Sequence, residues 1–324
     1  MNEEREMAPK ISVCIPTYNY GHYISSAVES VLNQHFTDFE LIIVDDCSKD
    51  NTEEVVSRFL YDKRVFFEKN ERNLGLVGNW NKCLSKARGE YIKFVFADDM
   101  LASDKALGRM AGILDSDPSV SLVASARHLI DSESGIIGLT SAFPQDFIAD
   151  GPEVINRCLR VSRDKEYMNL IGEPTVVMFR RADCARGFDD RYYQIPDLEM
   201  WFHLLEKGRF AFTAEPLASF RIHPGQKTRE NDARVVGLDD HYLLFKEYFG
   251  KSYVHISSII KFHRTFDQLY CLRKFGKKGV ISREEATRRI LAHCSYWQFY
   301  CYYPIHKLMR LFFKIGRAID RNTD

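Results

Sequence analysis

Two short apolar runs in the first fifty residues end in groups suited to holding a nucleotide. ISVCIPTYN finishes on Pro16, Thr17, Tyr18 and Asn19, and ELIIVDD finishes on Asp45 and Asp46, with a helical segment between them. In an open α/β sheet the ligand crevice lies at the carboxyl ends of the strands, so these six residues are expected to converge on one site. Neither run is followed by G-x-G-x-x-G or G-x-x-x-x-G-K-[ST]. That argues against a dinucleotide cofactor or a P-loop and leaves recognition of a nucleotide to side chains. A third run, YIKFVF, leads into Ala97-Asp98-Asp99. A carboxylate at such an edge can hold a divalent cation that bridges two phosphates and offsets the charge growing on a leaving diphosphate. Capping of the next helix or turn is the alternative use of the same pair.

Placing these groups together requires a sheet. Strand patterns at about 11–16, 39–45, 64–68 and 91–97 alternate with helical patterns at about 22–34, 51–61 and 77–87, which predicts parallel strands with helices packed on their faces. Asn51-Thr52-Glu53-Glu54 and Gly75 fit helix starts and turns; Ser103-Asp104 opens a helix that stops near Asp117-Pro118, and SVSLVAS follows as a strand. The Gly- and Ser-bearing stretch 130–170 is the least readable. Beyond residue 235 the pattern is helical throughout, with no Gly-rich linker and no internal repeat.

Three stretches, ISVCIPTYNYGHYISSAVESVLNQHFTDFELIIVDDCSKDNT, NLGLVGNWNKCLSKARGEYIKFVFADDML and GFDDRYYQIPDLEMWFHLLEKG, resemble in order the inverting nucleotide-sugar glycosyltransferases of family 2. The likeness covers roughly residues 10 to 225. It implies an α/β GT-A (Rossmann-like) fold, a mostly parallel sheet flanked by helices. The transferase domain is expected over 1–235, its nucleotide-sugar half at about 10–100 and its acceptor half at 101–235, with a helical C-terminal extension over 236–324. In this family Pro-Thr-Tyr-Asn and Asp-Asp cradle the base and ribose of the donor, which assigns those roles to Pro16, Thr17, Tyr18, Asn19, Asp45 and Asp46. The family's D-x-D-D is altered here, because Phe96 stands where its first aspartate would be. Asp98 is then the candidate for ribose and for Mn2+ or Mg2+, with Asp99 as a second ligand.

The same resemblance places the general base at Asp197 in QIPDLEMWFHLL, where Pro196 replaces the usual preceding acid. Such a carboxylate takes the proton of the acceptor hydroxyl as that oxygen attacks the anomeric carbon. A plain helix cap is the competing use of Asp197. Glu199 is the rival carboxylate, turned about 200° around the helix and expected to meet acceptor or solvent. Trp201 and Phe202 suit the core, with a place under an acceptor sugar ring also open to Trp201. FRIHPGQKTREND matches the family's R-x-H before a mobile loop, so His223 is expected on the metal or diphosphate, and Lys227 and Arg229 over the phosphates. A structural role is equally open to a lone histidine. Arg72-Asn73 resembles the loop that touches base or ribose, and ordinary turn chemistry would explain it as well.

Composition suits an enzyme with a sizeable core, 324 residues of which 45% are hydrophobic. The eight cysteines are scattered without C-x-x-C spacing, which predicts a reducing compartment rather than a disulfide framework. MNEEREMAPK is not a secretory signal, so the expected location is the cytoplasm, including the inner face of its membrane. Overall charge is zero, yet from Lys251 onward fifteen Lys and Arg face five Asp and Glu, a surplus of ten that leaves the earlier part equally acidic. Near the end, YWQFYCYY precedes a row of Lys307, Arg310, Lys314, Arg317 and Arg321 at spacings of 3 and 4, opposite Leu308, Leu311, Phe312, Ile315 and Ile319. Residues 296–321 are therefore expected to rest on an anionic membrane surface, or else to pack as an ordinary amphipathic helix. The partners implied are a nucleoside diphosphate sugar, most simply a UDP-sugar, and a glycan or lipid-linked glycan acceptor, with no nucleic acid. Because Phe96 and Pro196 both replace acids, a weakly active nucleotide-sugar-binding scaffold is the alternative. A nucleotidyltransferase would want a Gly-rich, Arg- or Lys-bearing loop after the first strand, and none is present.

Overall fold

The computed structural model describes residues 8–160, 169–226, 231 and 235–320, the last ten of these only for the course of their helix. Two compact units divide it, Met1–Tyr192 with Pro196–Pro224, and Tyr193–Ile195 with Gly225–Asp324.

The first unit is built on β1 (Ile11–Thr17), all seven of whose residues are buried. A strand covered on both faces reads as a continuous apolar run, which is why ISVCIPT shows no alternation. β2 (Phe39–Asp45) and β4 (Tyr91–Phe94) pair with β1 in parallel on either side, and β3 (Val65–Lys69) adds to β2, also in parallel. The register sets Thr17 opposite Asp45, so the polar strand ends arrive at one edge. Between the strands run α1 (Ile24–Leu32), α2 (Thr52–Ser57) and α3 (Gly75–Lys86). In α1 the buried residues Ile24, Ala27, Val28 and Val31 follow the i, i+3, i+4, i+7 rule that lays one face of a helix on a sheet.

The sheet continues as a mixed one. After the two-residue strand β5 (Met100–Leu101) and α4 (Ala106–Ser116) comes β6 (Val120–Ile130). The stretch that was hardest to read folds as β7 (Ile136–Thr140), β8 (Phe147–Asp150) and α5 (Gly151–Arg160). β9 (Val177–Arg180) runs antiparallel to both β4 and β6, and β10 (Arg209–Arg221) lies parallel to β6. Strand order is β3-β2-β1-β4-β9-β6-β10-β5, with β7 beside β6 and β8 beside β10. α6 (Pro196–Leu205) precedes β10. Ile11, Val13, Ile15, Leu41, Ile43 and the buried faces of α1 and α4 form one continuous core. All eight cysteines are free, and five of them, Cys14, Cys83, Cys158, Cys184 and Cys271, are buried as small apolar side chains.

The second unit is helical: α7 (Gly237–Tyr248), α8 (Ser258–Lys278), α9 (Arg283–His293) and α10 (Tyr296–Asp320). Local sequence fixes the ends. Ser282 accepts the Glu285 N–H at 3.0 Å, capping α9, and Gly279 with φ of 74° closes α8 in the left-handed conformation that costs glycine least. Phe266, Leu269, Leu272, Ile290 and Phe299 centre its core. Asp240, buried on α7, accepts the backbone N–H groups of Tyr193, Gln194 and Ile195 at 2.7, 2.5 and 3.1 Å. Two expectations for the C-terminus change. The aromatic run lies inside α10 rather than before it, with Phe299 in the core. Arg310 does not share an outward basic row: its guanidinium meets Asp267 at 2.6 Å, because a half-buried cation needs a counter-charge. The side chains of Lys314 and Arg317, and Arg321 altogether, fall outside the described residues. Among the described residues no helix is long and apolar enough to cross a membrane.

Candidate active site

At the end of β1 the chain turns sharply and is sewn to the end of β2. Asn19 adopts a φ of 59° and Cys47 one of 66°, left-handed values that side chains rarely accept without compensation. Hydrogen bonds supply that compensation: the Asn19 N–H donates to Ser48 Oγ at 2.7 Å, Asn19 Oδ1 accepts the Lys49 N–H at 2.8 Å, and the Gly21 N–H donates to Asp50 at 2.9 Å. Asp45 is fully buried and accepts the Ser48 hydroxyl and N–H. Burial raises its pKa, and those hydrogen bonds pull it back. Pro16 and Thr17 are buried beside it, and Thr17 Oγ1 has no hydrogen-bond partner among the described residues. Tyr18 presents its ring to solvent, 45% exposed, directly after that orphaned hydroxyl. A buried polar atom without a partner is costly, so a ligand that reaches it gains what the protein forgoes.

Asp46 is held by the protein itself. Its Oδ1 accepts the Leu74 N–H at 2.7 Å and the Asn70 amide at 3.0 Å, while its Oδ2 accepts the Gly75 N–H at 3.0 Å. Negative charge at the first turn of α3 complements the helix dipole, and Gly75 takes the φ of 77° that opens it. Asn73 donates to the Asp46 carbonyl at 3.2 Å and accepts from Gly75, the turn chemistry anticipated as its alternative use; Arg72 is exposed on that loop.

Asp98 and Asp99, adjacent in sequence, have different surroundings. Asp99 points inward, its two oxygens accepting the Arg221 N–H at 3.0 Å and the Thr175 hydroxyl at 2.7 Å. Burial, with Asp98 beside it, drives its pKa well up, and both oxygens of this expected second metal ligand are engaged by protein donors. Asp98 faces His223, with Oδ2 3.1 Å from Nε2. Arg221, two residues before that histidine, is buried and donates through Nε to the Asp98 carbonyl at 2.7 Å, with its guanidinium 4.7 Å from the Tyr23 ring centre. The R-x-H signal is thus split: the arginine locks the strand end and the histidine meets the carboxylate. Tyr20 lies against the pair, its phenol pushed up by burial and by Asp98. Phe96, in place of the family's acid, packs 5.0 Å from Trp80.

Beneath this edge sits a buried lysine that the apolar reading of YIKFVF concealed. Lys93 Nζ donates to the Thr175 carbonyl and to that of Val177 at 3.3 Å. Desolvation pulls its pKa down to about 7, against the opposing attraction of Asp99. Between that value and the ordinary 10.5 the unfolded chain binds the proton and the folded chain does not, so Lys93 contributes stability that rises with pH. Denaturant unfolding of the parent and of Lys93→Met from pH 6 to 9 should show the difference moving toward the parent above pH 7, by up to about 1.4 kcal/mol per pH unit. A pH-independent difference would remove Lys93 as a titrating group.

Asp197 occupies the first turn of α6, one residue after Pro196, the position where proline's missing N–H does no harm. It is half-buried and accepts a hydrogen bond from the Asn169 amide at 3.3 Å. The same amide donates to the Gly172 carbonyl at 3.1 Å, which also receives the Trp201 indole N–H at 2.9 Å. The turn from Asn169 to Thr175 therefore touches Asp197 at one end and Asp99 at the other, linking the helix-borne carboxylate to the strand-end pair. Two acceptor assignments change here. Glu199 is 2% exposed and bound by Arg186 at 2.6 Å, and Trp201 is 0% exposed against Phe179 and Phe188. Neither can meet a sugar or solvent, because α6 buries the side that carries them. Lys227 and Arg229 lie outside the described residues.

Sequence reasoning missed Lys93, Asn169 and Thr175. The lysine alone left a trace, as a charge within an otherwise apolar strand. Among the described residues no three His, Cys, Asp or Glu cluster as a metal site. Asp98 and His223 offer one oxygen and one nitrogen donor, 3.1 Å apart, at the strand-end edge.

The model of the family "Glycosyl transferase family 2" matches residues 12–185. The putative teichuronic acid biosynthesis glycosyltransferase TuaG of Bacillus subtilis is 30% identical over 66% of this chain and 79% of its own. WfaP of Escherichia coli, a UDP-Glc:alpha-D-GlcNAc-diphosphoundecaprenol beta-1,3-glucosyltransferase, is 26% identical over 84% of this chain and 94% of its own. Among solved structures, S. aureus TarS 1-349 in complex with UDP-GlcNAc superposes with a TM-score of 0.63 at 18% identity, covering 88% of this chain and 79% of that one. The mannosyltransferase PcManGT of Pyrobaculum calidifontis, bound to GDP-Man and Mn2+, gives 0.53 at 16% identity, covering 93% and 85%. Since the family's model runs from β1 through both strand-end acid pairs to the turn beyond β9, this chain belongs to glycosyltransferase family 2, inverting enzymes of the GT-A fold.

Proposed function

We propose that this glycosyltransferase moves a sugar from a UDP-sugar, with inversion, onto a hydroxyl of a lipid-linked glycan during assembly of a cell-surface polysaccharide. The observation that carries the reading is the turn 169–175, which links a strand-end donor edge to a carboxylate on a helix start. An inverting displacement needs these two features: a place for the leaving diphosphate, and a base for the incoming hydroxyl. Asp197 takes the acceptor proton while the acceptor oxygen bonds to the anomeric carbon and the bond to the diphosphate breaks. Asn169, anchored by Gly172, orients that carboxylate. Tyr18 and Asn19, exposed at the strand end, receive base and ribose over the buried Thr17 and Asp45, and Arg72 approaches them from its exposed loop. Mn2+ or Mg2+ held by Asp98 and His223 would supply charge neutralisation at the diphosphate. WfaP's UDP-Glc donor and diphosphoundecaprenol-linked acceptor, TuaG's teichuronic acid pathway and the UDP-GlcNAc complex of TarS support the choice of donor, acceptor class and pathway.

Thermal shift against UDP-, GDP- and dTDP-sugars, with Mn2+ and with chelator, tests the donor side. A UDP-sugar at a hundred times its Kd should stabilise the protein by about 2.7 kcal/mol, and chelator should reduce the shift. Stabilisation by GDP- or dTDP-sugars alone would replace the donor and leave the family unaffected.

A further inference from the structure

The helical unit keeps some of its cations free of acids. Arg289 is tied to Asp239 and Arg310 to Asp267, whereas Arg273, Lys277 and Arg283 meet no carboxylate among the described residues. These three line one open groove of about 570 Å³ between α8, α9 and α10, together with Leu291, Tyr296 and Tyr300. The Arg273 guanidinium lies 4.8 Å from the ring centres of both Tyr300 and Tyr303, and such cation–π contacts hold a charge in place without neutralising it. Glu284 lines the adjoining depression with Arg283 and Arg288, so positive charge remains in excess.

An apolar ridge borders the groove. Tyr296 lies 4.4 Å from Tyr300, and Trp297, 79% exposed, stands edge-on to Tyr296. Trp297, Cys301, Ile305 and Leu308 recur at spacings of 4, 4 and 3 along α10, one helical face, and all four are exposed.

We propose that this groove and ridge dock on an anionic phospholipid membrane. Headgroup phosphates enter among Arg273, Lys277 and Arg283, Tyr296, Trp297 and Tyr300 sit at headgroup depth, and Ile305 and Leu308 reach the first acyl carbons. The exposed aliphatic pair favours lipid over nucleic acid, whose bases stack on rings and have no use for branched aliphatic side chains. No described helix can span a bilayer, so α10 lies along the surface. The contact stands apart from sugar transfer and is read without turnover.

Co-flotation of the full chain with phosphatidylcholine vesicles, and with phosphatidylcholine mixed with phosphatidylglycerol, tests it. Binding should be confined to the anionic vesicles at low salt and fall about tenfold or more when Arg273, Lys277 and Arg283 become Gln, or when salt is raised. Trp297→Ser should weaken it as well, while the same loss of charge on the first unit, Arg58, Lys63 and Lys105 to Gln, should leave it near the parent's level. Equal recovery with neutral and anionic vesicles, or parent-like binding by the groove variant, overturns the proposal. So does capture of a single-stranded RNA with no vesicle binding. Unchanged thermal unfolding of these variants keeps any loss of binding from being a loss of fold.

Discussion

Asp197→Asn should leave UDP-sugar binding nearly unchanged and lower kcat by about a hundredfold or more, the scale of losing a general base. The substitution keeps shape, and an Asn oxygen at that place still accepts from Asn169, so the start of α6 need not move. Basicity alone is lost. Initial rates with a fixed acceptor, beside thermal shift with donor, separate the two effects. Near-parental turnover would return Asp197 to a capping role, and Glu199 could not inherit its function, being buried against Arg186.

Asp98→Ala is expected to act at the other end of the site, lowering kcat/KM by on the order of a hundredfold and erasing any difference between Mn2+ and chelator. Asp98 is the acid turned toward His223, whereas Asp99 is engaged by Thr175 and Arg221. The matching change at Asp99 should therefore appear first in stability, as a buried acceptor is removed from two donors. Donor titrations of Asp98→Ala with and without metal decide the matter. Metal-independent activity in the parent would remove the ion and leave the leaving group to His223 and whatever cations approach it.

The parallel part of the sheet was legible because β1 and β2 are apolar runs that stop abruptly at polar residues, and the register of Thr17 with Asp45 follows from that ending. Asp45 and Asp98 were readable as edge residues for the same reason. What could not be read is which member of an acid pair turns inward. Asp45 and Asp46 are both buried, one against Ser48 and the other at the start of α3, while Asp99 is buried and Asp98 faces the histidine. That choice depends on partners such as Thr175 and Arg221, which lie 76 and 122 residues along the chain from Asp99. Glu199 and Trp201 were misplaced on a similar ground. Helical spacing gives the angle between side chains but not which side of α6 faces the sheet. The stretch 130–170 resisted because β7 and β8 are short strands at the margin of the sheet, with too few residues for a clear alternation.

The carboxylate of Asp240 bears on how the chain can be shortened. Burial raises its pKa and the three amides of Tyr193, Gln194 and Ile195 offset that, a small anion cradle enclosed by a single peptide run. That run is followed at once by Pro196 and Asp197. Ending the protein at residue 235, where a sequence-based division would place the cut, takes Asp240 away and leaves three consecutive N–H groups to find water immediately upstream of the proposed base. The helical extension thus carries the acid that pairs the three amides of residues 193–195, and a shortened chain that keeps them paired retains α7.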